Sequence, residues 1–323
     1  MMHLLFPQRV FMSRKSKWID VESLIEPASA VARRAIRGRL KTVWDWLPQA
    51  ADRSTDDAEF VHQLRVATRR AMATLHLFDT LLPPRRSRWF RKRLKCLREK
   101  AGEARDLDVL AQHVTAVCQA DHSAGCAALL ERISEARRAA QPAITKIYEK
   151  LCRRKFQRRV KRLVRKIHWR SQQGEEPTYE TAARLGLRPL AVDFFNAAQG
   201  DFESILAMHE FRIAGKHLRY AMEVFAAAFE PGFRKELYPV VEELQMKLGA
   251  VNDHANNRDR CLAWLDETTD ESQRLVLSKL IALETTGLQT SMRDFRHWWS
   301  AERTADLKAR FWQEIAPSEA RCA

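Results

Sequence analysis

The 323-residue sequence is poor in the residues that break helices, with only 10 glycines and 11 prolines. Abundant Ala, Leu, Arg and Glu favour helix throughout instead. Long hydrophobic runs are missing as well, since no stretch approaches the 18 or so apolar residues of a transmembrane helix. The run Leu4-Leu5-Phe6 is too short for a secretory core, and Arg14, Lys15 and Lys17 follow it instead of preceding it. The expected location is therefore cytoplasmic, with Met12 standing as an alternative start to Met1. Six cysteines, at 96, 118, 126, 152, 261 and 322, form no Cys-x-x-Cys pair and no metal spacing with histidines. They read as reduced thiols of a cytosolic protein. There is no phosphate-binding glycine loop, His-Glu-x-x-His, nucleophile elbow or paired-aspartate metal motif. No catalytic residue, metal ligand or cofactor is expected, and the chain reads as a non-enzyme. Negative charge is also in deficit: 56 Lys and Arg face 41 Asp and Glu, a formal net charge of +15. That balance makes a polyanion the default partner, whether nucleic acid, polyphosphate or an anionic membrane.

What is present is organised around one stretch, VHQLRVATRRAMATLHLF (61–78), and its relative MHEFRIAGKHLRYAMEVF (208–225). At 3.6 residues per turn, Val61, Leu64, Ala67, Thr68, Ala71, Leu75 and Phe78 share an apolar arc that buries against other helices. On the adjoining arc His62, Arg65, Arg69, Met72 and His76 stack at spacings of three and four. This row spans roughly 21 Å at about 1.5 Å per residue. The second copy holds His209, Arg212, Lys216 and Arg219 at the same positions, with His217 and Tyr220 beside them. Taken singly, His62 and His209 also fit as histidines at the core edge, and each cation as a solvated stem over apolar surface. The repetition in register is what argues for a ligand.

A second pair of landmarks keeps the offset of 147 residues: Gly102 and Asp106 recur as Gly249 and Asp253. Glycine just past a helix and aspartate at the next N-cap predict a stop and a start at both places. Arg105 beside Asp106 is a further residue placed to reach a ligand. The equal spacing predicts a duplicated helical unit.

These motifs carry a resemblance. His62-Gln-Leu-Arg65-Val-Ala-Thr-Arg69-Arg70, Ala104-Arg105-Asp106-Leu107-Asp108 and His209-Glu-Phe-Arg212-Ile-Ala-Gly-Lys216-His217-Leu-Arg219-Tyr220 resemble the CHAD domain, the conserved histidine α-helical domain, across residues 28–317. The chain departs from the family pattern at Met72, Ala73, His217 and Asn252. The resemblance implies an all-α fold of two four-helix bundles related by a pseudo-twofold axis, with basic surfaces meeting at a central groove or channel. It also implies binding of inorganic polyphosphate and recruitment to polyphosphate granules. Carried over residue by residue, the ligand set is His62, Arg65, Arg69, Arg70, Arg105, His209, Arg212, Lys216, His217, Arg219 and Tyr220.

Along the chain, residues 1–26 read as an irregular extension, 27–317 as the domain and 318–323 as a tail. The first half, 27–170, holds a helix from 28 that Pro48 ends, and Asp56 and Asp57 as cap candidates for the ladder helix. Pro83-Pro84 closes that helix, and a strongly basic helix follows over 85–100. Asp106 opens another helix to 119, and a long helical stretch runs from 123 to 169 with a break near Pro142. Its last part, 150–170, is a basic amphipathic segment. The polar stretch 171–189 reads as the connector. The second half, 190–317, has helices from about 190, over the second ladder, at 233–248 and 255–267, and at 270–300 and 302–315.

Bare polyphosphate offers anionic oxygens and no bases, so its receptor needs a row of donors and no stacking platform. Single-strand nucleic-acid binders interleave aromatics with their cations. Phe78 and Phe225 fall on the apolar stripe, and Tyr220 alone lies near the ladders. Composition leaves nucleic acid and polyphosphate level. The alternatives are a nucleic-acid-binding module and a regulatory partner of a polyphosphate-processing enzyme.

Overall fold

The computed structural model describes residues 16–53, 57–118, 123–171 and 174–316. The expectations at Met1, Met12, the Leu4–Phe6 run, Asp56, Cys322 and the 318–323 tail lie outside them. Among the described residues the chain is all-α, and its sole β pairing is an isolated bridge between Pro27 and Thr178. The ten α-helices are α1 (Ala28–Asp52), α2 (Glu59–Leu77), α3 (Pro84–Cys118), α4 (Ala124–Arg153), α5 (Phe156–Val164), α6 (Tyr179–Ala197), α7 (Ile205–Phe225), α8 (Tyr238–Glu267), α9 (Glu271–Trp298) and α10 (Ala301–Ile315). None of them is long and apolar enough to cross a membrane.

The stripe read from the sequence is the buried face of α2: Val61, Leu64, Ala67, Thr68, Ala71 and Leu75 are all buried. Consecutive helices pack on one another from α1 to α4 and again from α6 to α9. The two runs meet where α2 packs on α7 and where α4 packs on α9. At the first junction the Phe78 and Phe225 rings meet edge to face, 5.7 Å apart. One large core draws on all ten helices, while a smaller one gathers Leu107, Leu110, Leu129, Trp264, Leu277 and Leu280 at the far ends of α3, α4, α8 and α9. Element bounds repeat at the offset of the motifs. Short 3-10 turns follow the ladder helices at Asp79–Leu81 and Ala226–Ala228, and α4 and α9 begin at 124 and 271 behind the capping side chains Ser123 and Asp270.

Several expected breaks are not breaks. Pro48 lies inside α1, which continues to Asp52. The last carbonyls of that helix find donors on α4: Gln141 Nε2 donates to Ala50 and Ala51 O at 2.9 and 2.7 Å, and Thr145 Oγ1 to Ala51 O at 2.9 Å. Pro142 likewise sits within α4, and the interruption comes later, at Lys155, whose φ of 53° separates α4 from α5. The predicted connector is shorter than read, because Thr178 caps α6 and Pro189 lies within it. Asp57, one of the two cap candidates, accepts the Glu59 amide at 2.8 Å.

The Gly102 and Asp106 stop and start is overturned too. Helix α3 runs unbroken from Pro84 to Cys118, and α8 passes through Gly249 and Asp253 in the same way. Two cysteines also depart from the reduced-thiol reading, since Cys118 and Cys126 are joined as a disulfide; Cys96, Cys152 and Cys261 are free.

The described part of the N-terminal extension carries no helix and is anchored on the helices. Lys17 pairs with Glu242 at 3.0 Å and lies 4.2 Å over the Tyr238 ring, against which Trp18 packs at 4.7 Å.

Candidate functional site

Helices α2 and α7 place the ladder residues side by side, because each buries its apolar stripe and leaves the adjoining arc facing the junction. Arg65 lies across α3, with Nη1 donating to Arg98 O at 3.3 Å and Nη2 3.9 Å from Asp106 Oδ1. This explains Gly102. A Cβ there would sit 2.8 Å from Arg65 Nη1, so the missing side chain makes room for a guanidinium. Asp106 is therefore a counter-charge to Arg65 and not a cap.

Burial, with Arg69 close by, pushes the Arg65 guanidinium down to about 10. Burial lowers Arg212 as well, against the pull of Asp253, and its buried Nε has no hydrogen-bond partner among the described residues. Lys216 is the most displaced. Burial first, then Arg212, Arg69 and Arg65, bring its ammonium down to about 6, with Asp253 opposing. Among the described residues neither Arg69 nor Lys216 has a carboxylate within ion-pair distance. Cations held together with too few matching anions cost folding free energy, and an anionic ligand would offset that cost.

These side chains open onto one cavity of about 1210 Å³. Helix α2 contributes Arg65, Arg69 and His76, and α7 contributes His209, Arg212, Lys216, His217 and Tyr220. Helix α3 adds Arg88, Arg91, Lys92, Lys95 and Arg98, and Glu99 is the one carboxylate in the lining. The α3 cations were legible only as a dense basic run, and no spacing signal singled them out. Burial draws both His76 and His217 below the ordinary histidine range, helped by Arg91 and Arg98 respectively.

Four of the expected residues lie elsewhere. Arg70 and Arg219 turn to the buried carboxylate of Glu223, which is 1% exposed. Arg70 donates from Nε and Nη2 at 2.6 and 3.0 Å, and Arg219 from Nη1 at 3.1 Å. The Tyr238 hydroxyl donates to the same carboxylate at 2.9 Å, and Arg39 approaches to 4.0 Å. Arg70 is one residue from Arg69 and so about 100° around the helix, which aims it at α7 and away from the cavity. His62 and Arg105 do not line the cavity; they sit close enough that burial and the Arg105 charge depress the His62 imidazole. The arrangement gathers guanidinium forks, ammonium groups and imidazoles along one concave surface, a donor set suited to repeated phosphate oxygens.

Two solved structures share the fold. The CHAD domain from the plant Ricinus communis superposes with a TM-score of 0.66 at 18% identity, covering 88% of this chain and 98% of that one. PptA from Streptomyces chartreusis gives 0.63 at 16% identity, covering 85% and 99%. No curated protein matches the chain. The CHAD domain family model matches residues 34–262, well over half of the sequence, and with the all-helical fold around the two His-x-x-Arg helices this places the chain in the CHAD domain family.

Proposed function

We propose that this chain binds inorganic polyphosphate without turning it over, along the cavity where α2, α3 and α7 bring their cations together. The observation that carries this reading is the lining itself, nine Arg and Lys side chains against the single carboxylate of Glu99. The shared offset of motifs and helix bounds supports reading the fold as two copies of one helical unit about a pseudo-twofold axis, with the cavity as the central groove. Arg65, Arg69, Arg212 and Lys216 are its inner contacts, His76, His209 and His217 its flanks, and the α3 cations its rim. Arg70 ties α2 to α7 through Glu223, whose carboxylate Arg219 braces from within α7.

Nucleic acid is the second reading, and one observation weighs against it. Tyr220 is the only aromatic in the lining; it is 5% exposed, and the Arg219 guanidinium lies 4.6 Å over its ring. No stacking platform remains for bases.

The test is a titration with labelled long-chain polyphosphate, competed separately by RNA, duplex DNA and orthophosphate. Each charge-assisted hydrogen bond contributes about 1.5–3 kcal/mol, so Arg69→Ala with Lys216→Ala should weaken binding by at least about tenfold while helical circular dichroism persists. Unchanged affinity in that double variant removes the cavity from the reading. RNA that displaces polyphosphate at equal phosphate concentration moves nucleic acid to first place. In cells, a fluorescent fusion should form foci that vanish when polyphosphate is absent, and foci that persist would refute granule targeting.

A further inference from the structure

Away from the cavity, at the smaller core, three helices bring together His113 of α3, His254 of α8 and Glu284 of α9. Their potential ligand atoms all lie within 4.8 Å of one another. Glu284 is 4% exposed and uses both oxygens: Oε1 is 2.8 Å from His113 Nδ1, and Oε2 is 2.5 Å from His254 Nδ1. Both imidazoles remain partly open to solvent, 35% and 25% by side chain, so an ion has a route in.

Two further features look built. Gly287, one turn beyond Glu284, gives the His254 ring its place, since a Cβ there would meet ring atoms at 2.5 to 3.0 Å. Asn257 Nδ2 stands 3.2 Å from both Glu284 Oε1 and His113 Nδ1. A neutral imidazole cannot serve both of those neighbours at Nδ1: with a proton it donates to Glu284 and faces the Asn257 N–H₂, and without one it accepts from Asn257 and faces the carboxylate lone pairs. A cation at Nδ1 in place of the proton satisfies the carboxylate, and Asn257 then donates to Glu284 Oε1 as an orienting contact of the kind that supports metal ligands.

We propose that His113, His254 and Glu284 form a binding site for a divalent transition metal of the Zn²⁺ type, which fastens the far ends of α3, α8 and α9 to one another. Two imidazoles and a carboxylate make a donor set that such ions favour, with a fourth position left for water. At zinc bond lengths of about 2.0–2.2 Å, tetrahedral ligands stand about 3.3–3.6 Å apart. The present contacts at Glu284, 2.8 and 2.5 Å, therefore need to open by about 0.5–1.1 Å. No spacing in the sequence announces the site, because its three residues come from three helices.

The test uses the full chain stripped with chelator, reloaded with Zn²⁺ or Co²⁺, desalted and assayed for bound metal. One ion per chain is expected, with the visible ligand-field bands of tetrahedral Co²⁺ and a thermal midpoint raised by Zn²⁺. The paired variant His113→Gln with His254→Gln should lose the bands and the shift, whereas a control at the distant His168→Gln keeps both. Asn257→Ala should weaken Zn²⁺ binding by about 10–100-fold. Because Glu284 is buried, the partly exposed histidines carry the test and circular dichroism confirms that they fold. A stripped wild type that takes up no metal overturns the proposal, as does binding that the paired variant retains. Polyphosphate affinity is measured in parallel, and its loss or retention bears on the cavity alone.

Discussion

Lys216 concentrates the electrostatics of the cavity in one side chain. Burial first, then Arg212 on its own helix and Arg69 and Arg65 on α2, bring it down to about 6 against the opposing pull of Asp253 on α8. An unfolded lysine holds its proton up to about pH 10.4. Between those values the unfolded chain binds more protons than the folded one, so stability contributed at this site rises with pH. Lys216→Met should therefore be more stable than the wild type near neutral pH, with the gap closing as pH climbs toward the unfolded value; thermal denaturation across that range checks it. Anion binding works in the opposite sense, because neighbouring phosphates raise the Lys216 value and the complex takes up a proton. Polyphosphate affinity should fall as pH rises from about 6 through neutrality, and calorimetric heats should differ between buffers of different ionisation enthalpy. Heats independent of buffer in the wild type, or equally dependent on it in Lys216→Met, would remove Lys216 from the binding step.

At the level of the helix, the two motif glycines are not equivalent. Gly102 sits under the Arg65 guanidinium, while a Cβ at Gly249 would meet nothing within 4 Å. Gly249→Ala should stabilise the chain by about 0.5–1 kcal/mol through helix propensity alone, read by urea denaturation. Gly102→Ala gains the same propensity but displaces Arg65, so it should weaken polyphosphate binding where Gly249→Ala does not. Equal affinities for the two variants would contradict this account.

The same pair shows what the sequence could and could not reveal. The ladder helices were legible because their apolar and basic arcs keep a period of 3.6 over five turns: the apolar arc of α2 is buried where that period puts it, and Arg65, Arg69, His209, Arg212 and Lys216 of the basic arc line the cavity, whereas His62 and Arg219 do not. The glycine and aspartate landmarks were misread, since a local stop signal and a seat for a distant guanidinium use the same residue. Pro48 and Pro142 misled for a related reason: their cost is local, whereas the contacts that sustain α1 and α4 lie on each other. Arg70 and Arg219 belonged to the motif; Glu223 lies four residues beyond Arg219 on the same helix, but its pairing with Arg70 is fixed only by how α2 meets α7.

Across the whole molecule, a net charge of +15 is spread well beyond the cavity, and salt separates its parts. Affinity for a linear polyanion should fall linearly on a double-logarithmic salt plot, with the slope counting the cations engaged. Lys92→Ala and Lys95→Ala, on the exposed rim, should each reduce that slope by about one. A slope left unchanged would place both lysines outside the footprint.

The anchoring of residues 16–26 sets where an independently stable unit has to begin. The family match starts at residue 34 and the first helix at Ala28, yet the main-chain oxygen of Lys17 accepts from Arg39, and Trp18 and the Lys17 ammonium cover Tyr238, whose hydroxyl reaches Glu223. A chain cut back to Ala28 would hydrate that carboxylate and loosen the joint between the ladder helices. Such a chain should melt at a lower temperature than one begun at Ser16, although both retain every residue that lines the cavity. Proteolytic trimming within residues 16–26 would thus act on the cavity from a distance, by releasing contacts that brace Glu223 where α2 meets α7.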